Sequence, residues 1–308
     1  MPINHTPIQE AEEKEKTRKE KEPSFYELNP QYCFSDIILP EEVEENVKES
    51  ISYIKNHNLI FDVWNLKSVI KHYNLCINLY GPSGTGKTMT AHAIANELGK
   101  KLIVVNYAEI ESKYVGETAK NLVNLFKYAQ KSDQIILFDE ADALLSKRVI
   151  AMNSATDVSV NQTRNTLLKL LDEYEGIIIF TTNFIQNFDI AFLRRIFSNI
   201  EFTLPDFAAR IKLWEHYLLP TIPIENRNAV IEQMAKAEDL SGSDIATIVL
   251  KAAVTIVDDR NKKIGTKLLS DIAEKIKKAR SDIQGGFEIT SRKVTEEYAK
   301  EHLGKEKL

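Results

Sequence analysis

The sequence predicts an α/β domain built on a parallel sheet covered on both faces, continued by a small all-helical domain. Three observations carry this. Short β-branched runs, apolar at consecutive positions, alternate with helical patterns as far as residue 205, as strands covered on both sides require. One of these runs feeds a glycine-rich turn that opens a helix. After Pro205 the strand-like runs stop and only helical periodicity remains.

The elements follow in order. Residues 9–22, QEAEEKEKTRKEKE, carry dense charge of both signs and one alanine. Such a segment cannot bury a core. With Pro23 and Pro30 after it, residues 1–30 read as a charged arm and linker. Pro40 and EEVEENVKESISYIKNH predict a helix with acids in its first turn and Val43, Val47, Ile51 and Ile54 on one face. CINLY at 76–80 predicts a strand, and TMTAHAIANELG predicts a helix ended by Gly99. LIVVNY at 102–107, IILFD at 135–139, IIIFTTN at 177–183 and IEFTLP at 200–205 predict further strands. FAARIKLWEHYLL, ENRNAVIEQMAKA, GSDIATIVLKAAVTIVDD and KLLSDIAEKIKKARSDI are helical in period, and a last helix is expected at 290–302. The expected division is 1–30 arm, 31–204 α/β domain and 205–308 helical domain, and 308 residues are ample for two domains.

Composition narrows the function. There are 40 basic and 45 acidic residues, for a net charge of −5. That balance gives no global reason to sit on DNA or anionic lipid. Hydrophobic residues at 43% and charged residues at 28% exclude general disorder. Cys33 and Cys76, with no CxxC, form neither a disulfide framework nor a zinc site. The start has no apolar signal region, and no apolar run reaches the roughly 20 residues that cross a bilayer. A protein of the reducing cytoplasm, off the membrane, is expected.

The chemistry begins at GPSGTGKT, Gly81 to Thr88. Gly81, Gly84 and Gly86 let the backbone approach phosphate, and the freed N–H groups at the helix start point at the anion. Lys87 reaches the β- and γ-phosphates, and the Thr88 hydroxyl is placed to coordinate Mg²⁺. IILFDEAD sets Asp139 and Glu140 at the end of a buried strand, where acids face the ligand crevice of an open sheet. Asp139 is assigned to Mg²⁺, and Glu140 to accepting a proton from, or orienting, the attacking water. Asp142 is read as a cap. Asn183, ending another strand, is read either as a turn residue or as the amide that holds the lytic water. Arg194 and Arg195 are read either as surface salt-bridgers or as arginine fingers donated to a neighbouring protomer.

Taken together, these motifs resemble the AAA ATPases in the narrow sense, the group containing katanin, spastin, FtsH and the valosin-containing protein. GPSGTGKT is similar to the family's GPPGTGKT, with Ser83 replacing the second proline. ILFDEADAL resembles its Walker B strand, FTTNF its sensor 1 strand, and FDIAFLRRIF through FTLPD its second region of homology. LSGSDIATIVLKAA resembles its SGADI lid helix. FSDII resembles its F-x-D-I-G-G adenine-side strand, with Ile38 replacing the first glycine. The resemblance covers about residues 34–260. It implies a P-loop sheet with a helical lid, a homo-hexameric ring, ATP and Mg²⁺. It implies nucleotide contacts at Asp36, Ile37, Gly81, Pro82, Ser83, Gly84, Thr85, Gly86, Lys87, Thr88, Met89, Gly242 and Ser243. SKYVGET resembles the family's central pore loop, which puts Lys113, Tyr114 and Val115 on a threaded polypeptide. Gly242–Ser243 stands where clamp loaders and replication initiators carry an arginine, and there is no HExxH.

These implications predict an ATP hydrolase that remodels a protein client, chosen through the arm, the pore or an adaptor. The alternative is a nucleic-acid motor or loader, supported by the basic run at 262–280. A switch that hardly turns over is a third reading, and Glu140, Asn183 and the arginine pair speak against it. Tyr114 in its KYVGE context favours the protein client.

Overall fold

In a computed structural model of the chain, the described residues are 25–70, 74–106, 117–145, 155–183, 188–258 and 262–284. Six strands form one sheet in the order β1 (Tyr26–Leu28), β3 (Leu102–Asn106), β4 (Ile135–Asp139), β5 (Ile178–Thr182), β2 (Cys76–Tyr80) and β6 (Ser198–Glu201). All neighbours run parallel except β1, which pairs antiparallel with β3.

Consecutive side chains of these strands enter different cores. Ile136 and Phe138 of β4 pack with Ile178 and Phe180 of β5 in one cluster, whereas Ile135, Leu137, Ile177 and Ile179 belong to a second. This alternation is why the runs are apolar at every position. The first cluster is covered by α3 (Glu117–Ser132) and α5 (Ala155–Glu173), through Leu122, Leu125, Phe126, Leu167 and Leu171. The second is covered by α1 (Glu41–Lys55), through Val43, Val47 and Ile51, and by α2 (Lys87–Glu97), through Ala91, Ile94 and Ala95. Each such side chain contributes about 1.5–3 kcal/mol by leaving water. Glu41, Glu42 and Glu44 open α1 and Lys55 closes it, matching the helix dipole at both ends. Two single-turn helices, α4 (Asp142–Leu145) and α6 (Ile190–Leu193), follow β4 and precede β6.

Beyond Pro205 four helices, α7 (Phe207–Tyr217), α8 (Arg227–Ala235), α9 (Gly242–Ile256) and α10 (Thr266–Gln284), surround a third core around Trp214, Ile231, Ile245, Ile248 and Leu269. Each of the first three begins at a polar cap: Asp206, Asn226 and Ser241 accept from backbone N–H groups of the first turn. Buried Arg210 donates to the carbonyls of Ala235 and Pro205, at 2.7 and 2.8 Å, tying α7 to the end of α8.

Two local expectations change. Tyr26–Leu28, read with the arm, is an edge strand on β3. Three residues are too few to show a period of two. Phe34–Asp36, expected in a strand, is a 3-10 turn. There the Asp36 carboxylate accepts the Cys33 N–H at 2.8 Å, closing the backbone locally before it can join the sheet. Residues 1–24 and the expected helix at 290–302 lie outside the described residues. No helix among the described residues is long and apolar enough to cross a membrane.

Candidate functional site

The parallel register sets the site. Tyr80 pairs with Thr182, and Phe138 with Phe180, so β2, β4 and β5 end side by side at one edge of the sheet. The phosphate loop leaves β2 there and the acidic pair leaves β4, at the carboxyl ends where ligands of open α/β sheets bind. Gly81 has φ +140°, and a β-carbon on it would lie 2.0 Å from the Phe202 carbonyl oxygen. Gly84 has φ +78°, and a β-carbon would lie 2.0 Å from Ser243 Oγ. Both positions therefore require glycine, the first to pass β6 and the second to lie under the first turn of α9. The Ser243 N–H donates to the Gly84 carbonyl at 3.3 Å, joining the helical lid to the loop.

The side chains converge on this point. Lys87 Nζ donates to the carbonyls of Gly81 at 2.7 Å and Pro82 at 2.8 Å, and to Asn183 Oδ1 at 3.0 Å. Burial lowers the Lys87 pKa, while the carboxylates of Asp142, Asp139 and Glu140 pull it back up. Thr88 Oγ1 donates to Asp139 Oδ1 at 2.9 Å. Asp142 Oδ1 accepts the Asn183 backbone N–H at 2.9 Å and so holds the backbone of the residue whose side-chain oxygen faces Lys87. Glu140 has φ +53°, left-handed for a residue with a β-carbon, and its side chain is exposed.

Lys87, Thr88, Asp139, Glu140 and Asn183 line one cleft of about 290 Å³. Its polar end holds Ser83, Gly84, Thr85, Gly86, Lys87, Thr88, Met89, Asp139, Glu140 and Asn183. Asp36, Ile37, Gly242 and Ser243 line it as well. Gly81 and Pro82 reach it only through their carbonyls on Lys87. The other end is walled by Ile37, Ile38, Leu213, His216 and Tyr217, which together suit a flat, partly apolar ring. The segment carrying Asp36 to Ile38 is tethered to α2, where the Gln31 N–H donates to His92 Nδ1 at 3.2 Å and the Tyr32 ring meets the His92 ring edge-on. Burial lowers the His92 pKa, which keeps this ring neutral as an acceptor.

Thr88 and Asp139 place two hard oxygen donors beside the loop. That donor set fits Mg²⁺, which takes one or two protein oxygens and completes its shell from phosphates and water. Among the described residues no cluster of three His, Cys, Asp or Glu offers a cage independent of phosphate.

The arginines do not enter this cleft. Arg195 forks onto Asp172, Nε to Oδ1 and Nη2 to Oδ2, each at 2.8 Å, and Nη1 donates to the Ala191 carbonyl at 2.8 Å. Arg194 is exposed, with no ion-pair partner among the described residues. Lys113, Tyr114 and Val115 lie outside the described residues. Sequence reasoning missed Thr181, Ile38 as a wall residue, and Leu213, His216 and Tyr217. The last three come from a lid helix with no motif of its own.

Residues 77–204 match the family described as "ATPase family associated with various cellular activities (AAA)". The chain is similar to cell division protein C of Sulfolobus acidocaldarius, with 34% identity over 244 residues, covering 75% of this chain and 61% of that protein. It is similar to a proteasome-activating nucleotidase of Saccharolobus islandicus, with 36% identity over 217 residues, covering 67% and 54%. A putative 26S proteasome regulatory subunit homologue of Methanocaldococcus jannaschii is 34% identical over 236 residues, covering 74% and 60%. The chain thus spans between about half and three fifths of the length of these relatives.

Proposed function

We propose that this chain, whose residues 77–204 match the AAA ATPase family, is a cytoplasmic Mg²⁺-dependent ATPase that works in a homo-hexameric ring to remodel a protein client. One observation carries the hydrolytic reading: Lys87, Thr88, Asp139, Glu140 and Asn183 meet in a single cleft under a lid. The loop N–H groups and the Lys87 ammonium take the phosphates, and the adenine lies between Ile37, Ile38, Leu213 and Tyr217. Thr88 and Asp139 would hold Mg²⁺, which would supply charge neutralisation on the phosphate oxygens. Glu140 accepts the proton of the attacking water, and Asn183, fixed by Asp142, orients that water.

The division into a catalytic domain up to residue 204, which takes in the edge strand Tyr26–Leu28, and a lid at 205–308 goes with this reading. Its support is the third hydrophobic core, whose buried members all follow residue 205. Of the two arginines, Arg194 is the one offered to a neighbouring protomer, because Arg195 is engaged by Asp172 within its own chain. The charge it brings to the γ-phosphate is the kind of contribution that makes hydrolysis depend on assembly.

The protein client is supported by two things. SKYVGET resembles a pore loop, and the relatives include proteasome-activating nucleotidases. Tyr114 is assigned the grip on polypeptide, since a flat ring packs against varied side chains. The deciding experiment compares stimulation of ATP hydrolysis by an unfolded protein and by single- and double-stranded DNA at fixed salt. Stimulation by the unfolded protein, lost in Tyr114→Ala, is expected. Stimulation by DNA alone, kept in Tyr114→Ala, would replace this reading with the nucleic-acid motor.

A further inference from the structure

We propose that Thr181 is the positioning residue that aims both members of the acidic pair, Asp139 and Glu140. This rests on the ATPase reading and deepens it. The register that pairs Phe138 with Phe180 brings the next residues, Asp139 and Thr181, side by side at the ends of β4 and β5. Thr181 is 2% exposed, and its hydroxyl both donates and accepts. Oγ1 accepts the Glu140 N–H at 3.0 Å and donates to Asp139 Oδ1. The Thr181 carbonyl accepts the Ala141 N–H at 2.9 Å. Three consecutive residues leaving β4 are therefore tied to one residue of β5.

The chemistry of the hydroxyl matters here. It donates and accepts at the same atom, which neither an alkyl group nor a carboxylate does. Glu140 adopts φ +53°, a left-handed conformation that a residue with a β-carbon rarely takes. Such a conformation persists only where the surroundings over-determine it. The Thr181 hydroxyl, clamping the Glu140 N–H on one side and Asp139 on the other, is the restraint at this turn. It directs the Asp139 carboxylate toward Thr88 and turns the Glu140 side chain out into the cleft. Without it, the Glu140 N–H loses its partner and Asp139 Oδ1 keeps only Thr88, so the left-handed turn loses its side-chain restraint. Thr181 lines the cleft, but its hydroxyl bonds go to Asp139 and Glu140 and not to Lys87 or the loop.

The test uses the full chain, with Thr181→Val, which keeps the shape and removes the hydroxyl, Thr181→Ala, which removes it without any clash, and Thr181→Ser, which restores it. Steady-state kcat and KM with Mg²⁺, the Kd of a non-hydrolysable ATP analogue without Mg²⁺, and Tm are measured for each. Thr181→Val and Thr181→Ala are expected to lose roughly 10–100-fold in kcat, the usual effect of removing a partner that orients a catalytic ligand. Analogue Kd should change less than about threefold, and Thr181→Ser should recover most of the rate. A wild-type kcat in both hydroxyl-free variants overturns the proposal while leaving the ATPase reading intact. So does an equal loss in Thr181→Ser, or a loss confined to analogue affinity. Absence of hydrolysis in the wild-type chain overturns both.

Discussion

Replacing Gly84 by alanine tests whether the lid and the phosphate loop form one nucleotide-binding unit. Two penalties are separable at this position. The backbone sits at φ +78°, which costs a residue with a β-carbon about 1–2 kcal/mol. The added carbon also falls 2.0 Å from Ser243 Oγ and 2.7 Å from Ser241 Oγ. Ser243 Oγ is bonded to Ser241 Oγ, which is held in the capping box of α9 by Asp244. The loop must then leave its arrangement or the lid must lift, and either change parts the N–H groups from the ring-binding wall. The dihedral penalty alone, at about 1.4 kcal/mol per factor of ten, predicts roughly 5–30-fold weaker ATP binding. The assay is titration of a fluorescent ATP analogue against Gly84→Ala, Ser243→Gly and the double variant. Ser243→Gly should relieve the Ser243 collision and leave both the Ser241 contact and the dihedral penalty, so the double variant should recover at most part of the affinity. Unchanged affinity in Gly84→Ala, or complete recovery in the double variant, would refute the reasoning, since the first denies both penalties and the second denies the dihedral one.

Two further predictions follow from named contacts. Arg194→Ala should leave Tm unchanged and lower hydrolysis on the order of 10³-fold. Arg195→Ala, which loses a partly exposed fork onto Asp172, should cost less than about 1 kcal/mol of stability and keep most of the activity. Thermal unfolding and ATPase rates of both variants check this, and the reverse ranking would contradict it. In the lid, burial raises the Asp244 pKa, but hydrogen bonds from Arg280 and Ser241 and the Arg280 charge outweigh it and leave the carboxyl below its ordinary 3.8. A carboxyl depressed in the folded state stabilises the fold above its unfolded pKa and loses that contribution as pH falls through the folded value. The Tm gap between wild type and Asp244→Asn should therefore be full at pH 5–7 and shrink below pH 3.8; a gap constant to pH 2.5 would be inconsistent with it.

Much of this was legible in the sequence because the site is built from strand ends. A strand apolar at every position announces burial on both faces, and whatever polar residue ends it must face the crevice. That logic found Asp139, Glu140 and Asn183 before any register was known. The glycines of the loop were equally legible, since their left-handed angles and close approaches at Gly81 and Gly84 leave no room for a side chain. Thr181 was not legible. A threonine inside IIIFTTN reads as an ordinary β-branched strand residue, and only the pairing of β4 with β5 shows what its hydroxyl touches. His216 and Tyr217 escaped for another reason: they reach the cleft from α7 because the lid folds back over the loop, a long-range packing event with no local pattern. The edge strand Tyr26–Leu28 was hidden by its brevity and by the charged segment before it. The choice between Arg194 and Arg195 needed the position of Asp172, a residue of α5 with no sequence relation to either.

Glu140→Gln tests the central claim, hydrolysis of ATP at this cleft, most directly. The substitution keeps the size of the side chain and the backbone N–H that Thr181 accepts, and removes only the group that takes the proton. ATP affinity and single-turnover hydrolysis are measured with Mg²⁺ on wild-type and variant chains at the same protein concentration. The account predicts that wild type hydrolyses ATP, while the variant binds it with similar affinity and turns over roughly 10²–10⁴-fold more slowly. Hydrolysis by Glu140→Gln at the wild-type rate would contradict the assignment of the water-activating carboxylate, and with it the mechanism built on this site.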